Sequence, residues 1–372
     1  MVNSPLGRIV RGVLWLGLVS LAACGTGEYV HQLPDGTPTG SAIGVVRHVT
    51  SGLPLAGVKV TLSRDGKNLV SGYTDERGLY QFLLESGVDY ALRFETPYFL
   101  GVSYKEINVK TDELQALQPV VMVPNRGEGN AAILQGSVRA ASGGAQALPD
   151  VAVSLRPGMN NTQDEPLVTA ATDSDGNYYF DNLPNGSYTL ELQGLGFAPA
   201  FYSLVAVSGG LDRDGELWLS PEDLSTGQAR IVLSWETATR DLDAYVSGPV
   251  AEKNQRFMIF YSQYNSPQAQ LDLQQTTVET AQLYGQTTGS YYFAVGDFTV
   301  QQGAPAAHSQ VGARVDVYRD DHRHEVFFAP PHESGMCWLV FELSGAQIKE
   351  LAEYRDQSCE LALSAMPLTV SP

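Results

Sequence analysis

The sequence predicts an all-β protein of two or three domains, and three observations carry that prediction. Residues 73–82, YTDERGLYQF, line up with residues 171–180, ATDSDGNYYF, and both read Thr-Asp-x-x-Gly-x-Tyr-x-Phe. The offset between the copies is about one hundred residues, too long for a solenoid repeat and suited to a tandem β-domain. Finally, 37 glycines and 20 prolines punctuate 372 residues that show no long 3.6-residue period outside the N-terminus. Hydrophobic residues make up 43% of the chain, enough for several cores.

The repeat extends on both sides of the motif. GLPLAGVKVTL (52–62) precedes the first copy and AQALPDVAVSL (145–155) the second. Each motif is followed by an apolar strand with a tyrosine, GVDYALRFE and GSYTLELQG. Asp173 and Asp175 raise the question of calcium. With Gly176 at position 6 of an EF-hand loop they fall at positions 3 and 5, but Ala171 and Asn182 then occupy positions 1 and 12. Arg77 stands in the first copy where Asp175 stands in the second. The stretch therefore reads as a hairpin turn. Its Asp caps through the side chain, its Gly supplies the left-handed residue, and Tyr and Phe face one side of the next strand.

The N-terminus is a targeting signal. Arg8 and Arg11 precede an apolar run at 13–23 that is too short to span a bilayer. It ends in Leu21-Ala22-Ala23-Cys24. This resembles the lipobox of bacterial lipoproteins, which implies cleavage after residue 23 and acylation of Cys24, with palmitate among the chains. Several chains anchor firmly where one is marginal. Gly25 follows the cysteine, and under the sorting rule of that family this favours the outer membrane. Removing residues 1–23 takes Arg8 and Arg11 with it, so a net charge of −18 becomes −20. The acids are scattered, which suits solubility, and no basic face is available for nucleic acid. Residues 24–40 lack an apolar period and read as a tether.

Domain 1 is expected over 41–124 and domain 2 over 132–221, with a short linker at 125–131 and a third domain over 229–372. The first two resemble carboxypeptidase-regulatory-like, transthyretin-like β-sandwiches. In domain 2 the resemblance rests on Gly136-x-Val138, Leu148-Pro149-x-Val151-x-Val153, the Thr172-to-Phe180 motif and Leu183-Pro184-x-Gly186-x-Tyr188. Domain 1 keeps Gly44, Pro54, Gly57, Val58, Val60, Thr74, Asp75, Gly78, Tyr80, Phe82 and Tyr90. The resemblance implies antiparallel sandwiches that act as spacers, stability modules or binding surfaces and carry no catalytic residues. Related collagen-adhesin modules form Lys–Asn isopeptide bonds. Only domain 1, with Lys59, Lys67, Lys105 and Lys110, has lysines for that chemistry.

The third domain opens with Trp235 and Asp241-Leu242-Asp243-x-x-Val246. It resembles a bacterial β-sandwich family with a Trp…Asp-Leu-Asp opening, found in secreted proteins and beside von Willebrand A domains. Strand alternation puts Asp241 and Asp243 on one face, where like charges repel unless a cation or donor intervenes. Asp272, and with it Glu279, would complete a calcium site of hard oxygens. The other reading of these acids is solvated strand ends. His322 and His324, near Asp320 and Glu325, form the one cluster that a zinc or nickel hydrolase could use; a hairpin explains the same stretch. Tyr178, Tyr179, Tyr291 and Tyr292 are candidates for stacking on sugars, although adjacent strand residues face opposite ways. Cys337 and Cys359 remain after processing and suggest one disulfide, two buried thiols being the alternative. No standard nucleophile, phosphate-loop or zinc-protease motif occurs. The sequence thus points to a non-enzymatic envelope lipoprotein whose C-terminal domain meets a protein or polysaccharide partner.

Overall fold

The computed structural model describes residues 28–30, 33–127, 131–142, 144–210, 215–236, 239–250, 255–272, 277–285, 289–301, 308–320, 324–345 and 347–367. Three hydrophobic cores divide them into three β-domains.

Domain 1 contains β1 (Glu28–Val30), β2 (Thr39–His48), β3 (Lys59–Arg64), β4 (Lys67–Tyr73), β5 (Leu79–Glu85), β6 (Tyr90–Glu95), β7 (Val102–Ile107), β8 (Leu114–Ala116) and β9 (Val120–Met122). One sheet runs β1-β5-β2-β8, with β9 also on β2, and the other runs β4-β3-β6-β7. Their inner faces meet through Val60, Leu62, Tyr80, Phe82, Phe94 and Met122. The expected tether is shorter than the sequence suggested. Glu28–Val30 pairs in parallel with β5, and β2 already begins at Thr39.

Domain 2 contains β10 (Ala132–Ala140), β11 (Ala152–Pro157), β12 (Val168–Ala171), β13 (Asn177–Leu183), β14 (Gly186–Gln193), β15 (Ala200–Ser208) and β16 (Gly215–Leu219). The strand path is β12-β11-β14-β15-β10-β13, with β16 on the other edge of β10. Among the described residues its two halves share strand pairing where Ala132 and Ile133 meet Ser208 and Val207, and they pack on one core.

The shared motif has one physical basis in both domains. Gly44 pairs with Tyr80 and Gly136 with Tyr178 across neighbouring strands. A Cβ on either glycine would lie 2.3 Å or 2.6 Å from the tyrosine hydroxyl oxygen. Each glycine is thus the floor on which a buried ring lies. The turn is built the same way twice. Asp75 Oδ1 accepts from the amides of Arg77 and Leu79 at 2.9 and 2.8 Å. Asp173 Oδ1 accepts from those of Asp175 and Asn177 at 2.9 and 2.8 Å. Gly78 and Gly176 take φ of 72° and 78°, where a side chain would be strained. The preceding Thr hydroxyls clip the loop before β3 or β11: Thr74 donates to the Leu55 carbonyl and Thr172 to that of Leu148.

Domain 3 contains β17 (Ala229–Ser234), β18 (Leu242–Pro249), β19 (Arg256–Ile259), β20 (Ala269–Asp272), β21 (Val278–Leu283), β22 (Ser290–Asp297), α1 (Phe298–Gln301), β23 (Arg314–Arg319), β24 (His324–Phe328), β25 (Cys337–Ser344), β26 (Gln347–Arg355) and α2 (Cys359–Ser364). Two five-stranded sheets, β20-β21-β17-β23-β24 and β19-β18-β22-β25-β26, enclose a core around Trp235, Phe293, Trp338 and Phe341. On the far face of the second sheet, α2 covers Tyr245, Tyr292 and Leu339 in a separate small core.

The domains are packed against one another rather than strung out as spacers. Met159 of domain 2 is buried in the core of domain 1. Its amide donates to the Ser103 carbonyl at 2.8 Å, and its carbonyl accepts from the Lys105 amide at 3.0 Å. The segment therefore caps the edge of β7, which would otherwise expose unpaired amides. Trp218 of domain 2 packs with Val232, Val278 and Tyr318 of domain 3. Domain 1 reaches domain 3 through Lys110, whose Nζ donates to Glu325 Oε2 at 2.8 Å and to the Ile348 carbonyl at 2.9 Å.

Met159→Ala should lower stability by about 2–5 kcal/mol and speed hydrogen exchange at the Lys105 amide. Melting and exchange both unchanged would show that domain 1 does not depend on this insertion.

Candidate functional site

The strongest concentration of buried charge lies where the three domains meet. Arg314 and Asp316 are two residues apart on β23, so both point from domain 3 toward its neighbours. They are 8% and 2% exposed. Nε and Nη2 of Arg314 each donate to the Asp316 carboxylate at 2.7 Å, a bidentate pair. Nη2 also donates to the Phe201 carbonyl of domain 2 at 3.0 Å, and the guanidinium lies 4.0 Å from the centre of the Tyr202 ring. Burial opposes charge on both partners, but each is held ionised by the other. Asp316 stays well below the usual carboxylate range and Arg314 above its own. Domain 1 feels the same charge: burial pushes the Tyr104 phenol up to about 12, and Arg314 acts to lower it. Gln118 Nε2 closes the contact by donating to the Ser203 carbonyl at 2.8 Å.

This junction absorbs the histidine cluster. His322 lies outside the described residues. His324 Nε2 is 2.8 Å from Asp316 Oδ1, and its ring stacks on Tyr318 with centroids 4.3 Å apart. Asp320 accepts from the Gly227 amide, and Glu325 from Lys110. His324 is thus a partner of a buried ion pair, and its neighbours are spent on other contacts, so the zinc or nickel expectation finds no support in their geometry. The sequence hid this role because Arg-x-Asp in an alternating strand looks like a solvated face; the one signal was a charge pair inside an otherwise apolar run.

A second set of acids lies between domains 1 and 3. Glu350 Oε1 accepts from the Ala116 amide at 3.2 Å, and Glu113 Oε2 accepts from the Glu350 amide at 3.3 Å. Burial, aided by Glu113, raises Glu350 to about 8 against the pull of the Ala116 amide.

The expected calcium ligands do not come together as the sequence suggested. Asp272 lies on β20, in the sheet opposite Asp243 on β18. Among the described residues no three His, Cys, Asp or Glu side chains converge as a metal site. Asp241 is exposed and Asp243 is 7% exposed. Glu279 points into the sandwich, where its Oε2 accepts from the Ala244 amide at 2.6 Å. That amide lies just before the stretch where β18 pairs with β19, which begins at Val246. Burial raises Glu279 to about 8, and burial with Asp241 and Glu360 raises Asp243 to about 7.

The remaining candidates fall as follows. Cys24 lies outside the described residues. Cys337 and Cys359 are joined by a disulfide that pins α2 to β25. Tyr178, Tyr291 and Tyr292 are buried, and only Tyr179, 53% exposed, faces solvent. The first three are core residues and offer no sugar platform. Lys105 bonds to Asp164 and Lys110 to Glu325, so each meets a carboxylate across a domain boundary rather than an asparagine.

Residues 133–216 match the model of the carboxypeptidase regulatory-like domain family. Serine-aspartate repeat-containing protein F from Staphylococcus epidermidis is 28% identical over 183 residues, covering 42% of this chain. The chain spans about a tenth of that relative's length, 10%. Solved structures that this chain matches include a streptococcal ancillary pilin, 14% identical over 50% of this chain and 63% of its own, at a TM-score of 0.20. The minor pilin of Streptococcus agalactiae is 14% identical over 49% of this chain and 95% of its own, at 0.21. The shaft pilin of Lactobacillus rhamnosus GG is 10% identical over 49% of this chain and 98% of its own, at 0.19. At TM-scores this low these matches carry no further argument, and the all-β fold class rests on the strands themselves.

Arg314→Ala should cost about 3–5 kcal/mol, because it leaves the Asp316 carboxylate buried and unpaired; a loss below 1 kcal/mol in denaturant melts would contradict the junction's importance. Glu350 gives a pH dependence. Its folded pKa is raised, so its contribution is complete below the unfolded value near 4.5 and is lost as pH rises toward about 8. Glu350→Gln should flatten the fall in stability across that window, and an unaltered slope would assign it to other groups.

Proposed function

We propose that this protein is an envelope lipoprotein, held in the outer membrane by acyl chains on Cys24, that works by non-enzymatic contact with a protein or polysaccharide of the envelope. The observation that carries the reading is the N-terminal segment itself: Arg8 and Arg11, an apolar run, and Leu21-Ala22-Ala23-Cys24. The folded part supports it. β1 begins at Glu28, four residues beyond Cys24, and four residues span about 14 Å at full extension. An anchored Cys24 would hold domain 1 against the headgroups. Domain 3 folds back onto domain 1 through Lys110, Glu325 and Glu350, so an anchored domain 1 would carry the third sandwich with it as part of one body.

Cys24→Ala should move the protein from the detergent phase to the aqueous phase in detergent partitioning of cells that express it. Equal partitioning of variant and parent would end the lipoprotein reading.

A further inference from the structure

Domains 1 and 2 repeat one fold but treat one edge of it differently. Counted from the shared Thr-Asp-x-x-Gly motif, β5 corresponds to β13 and β4 to β12. In domain 1 the outer edge of β5 is covered. Glu28, Tyr29 and Val30 of β1 pair in parallel with Gln81, Phe82 and Leu83, and β1 also lies against β4. The strand therefore closes the seam between the two sheets of that sandwich. In domain 2, among the described residues, β13 pairs with β10 alone and β12 with β11 alone. No described strand lies in the equivalent seam.

The side chains on the two seams record the difference. Val70 packs against the core of domain 1, whereas Val168 at the matching place is 39% exposed. Gln81 and Leu83 are half-buried; their counterparts Tyr179 and Asp181 are exposed. Leu167, just before β12, is 56% exposed. An uncovered edge presents a row of unpaired amides and carbonyls, which proteins ordinarily cover or blunt. β13 runs regularly against β10 from Asn177 to Phe180, and a bulge interrupts it only between Phe180 and Leu183. The strands that dock domain 3, β15 through Phe201 and β16 through Trp218, lie on the other side of β10. Residues 165–183, which form the seam, carry Glu165, Asp173, Asp175 and Asp181 and neither lysine nor arginine. Two copies of this chain set edge to edge would bring these acids together, so a second copy fits poorly and a cationic strand fits well.

We propose that the seam between β12 and β13 takes an extended, basic segment of an envelope protein by parallel strand addition, as β1 is added to β5 in domain 1. The register of domain 1, carried over, sets one residue of that segment beside Tyr179, the next beside Phe180 and the third beside Asp181. Phe180 belongs to the core, so the residue beside it is apolar and turned inward. The outer two face solvent and are Lys or Arg, one over the Tyr179 ring and one at the Asp181 carboxylate. Main-chain hydrogen bonds supply the affinity, and these three side chains select the sequence. The inference rests on the proposed function and narrows it to a protein partner. It needs neither Cys24 nor a membrane. Detergent partitioning can therefore fail while the strand binds, and the strand can fail while partitioning holds.

The probe is a synthetic peptide of residues 26–33 of this chain carrying Glu28→Lys and Val30→Lys, added to the full chain. At about ten times its dissociation constant it should slow hydrogen exchange across residues 177–181 about tenfold. The same peptide with Tyr29→Asp should leave exchange unchanged, because it would bury a carboxylate against Phe180. Asp181→Lys in the protein should weaken the lysine peptide about fivefold; Asp181 is exposed, so this variant should fold as the parent does. The peptide measurements need only the parent protein. Exchange unchanged by the lysine peptide would overturn the proposal. Equal slowing by the Tyr29→Asp peptide, or equal affinity for the Asp181→Lys protein, would overturn it too. Slowing across 177–181 that grows with protein concentration in the absence of peptide would give the seam to a second copy. Slowing by envelope polysaccharide but not by peptide would give it to a sugar, and either result would overturn the proposal.

Discussion

A guanidinium taken out of water at the meeting point of three domains constrains everything around it. Arg314 satisfies its charge with Asp316 from its own strand, a carbonyl from domain 2 and the face of Tyr202. None of these alone would offset its desolvation. Domain 2 must be docked for the second and third to exist, and Gln118 of domain 1 braces the strand that supplies them. The arrangement of the three sandwiches is thus coupled through one side chain. That coupling is specific: a hydrophobic patch such as Trp218 against Val232 tolerates sliding, whereas a bidentate pair with a carbonyl partner does not.

The features legible in the sequence were those made by neighbours in the chain. Thr-Asp-x-x-Gly declared its turn because the caps run from Asp75 and Asp173 to amides at most four residues away. Gly44 and Gly136 were visible as repeat positions, although their purpose as floors for Tyr80 and Tyr178 needed the strand register. The cysteine pair was legible because only two remained to be matched. What escaped was made by residues far apart. Met159 enters domain 1 some 55 positions beyond Tyr104 (159 less 104), and Glu350 meets Ala116 at a separation of 234. Alternation expects Asp241 and Asp243 on one face, but it could not show that Asp272 belongs to the opposite sheet. The segment at 28–30, three residues long, was too short to show a strand period, and its pairing with β5 became visible only in the fold.

The charge of this protein is less uniform than its total suggests. Among the described residues most acids are exposed, where their charge is solvated. Asp243, Glu279 and Glu350 are buried, and their pKa values lie from about 7 to about 8. These three therefore favour the folded, docked state in mildly acidic surroundings. Asp316 works in the opposite sense: its depressed pKa contributes stability above the ordinary carboxylate range, and that is lost only as pH falls. The two senses together place the most stable pH between them.

The strand at Glu28–Val30 also decides how the molecule carries load. If Cys24 is anchored as proposed, a pull between it and the body would fall first on three residue pairs, Glu28 with Gln81 through Val30 with Leu83. That ladder is far smaller than the interfaces behind it, so it yields before they do. Beyond it the next hold among the described residues is at Pro38, whose carbonyl accepts from the Ser86 amide at 2.9 Å just before β2 begins. Domain 1 keeps its core, and the three-domain junction stays closed. On the proposed anchoring, the first contacts to feel a pull on the N-terminus would be those of three residue pairs rather than any of the three hydrophobic cores.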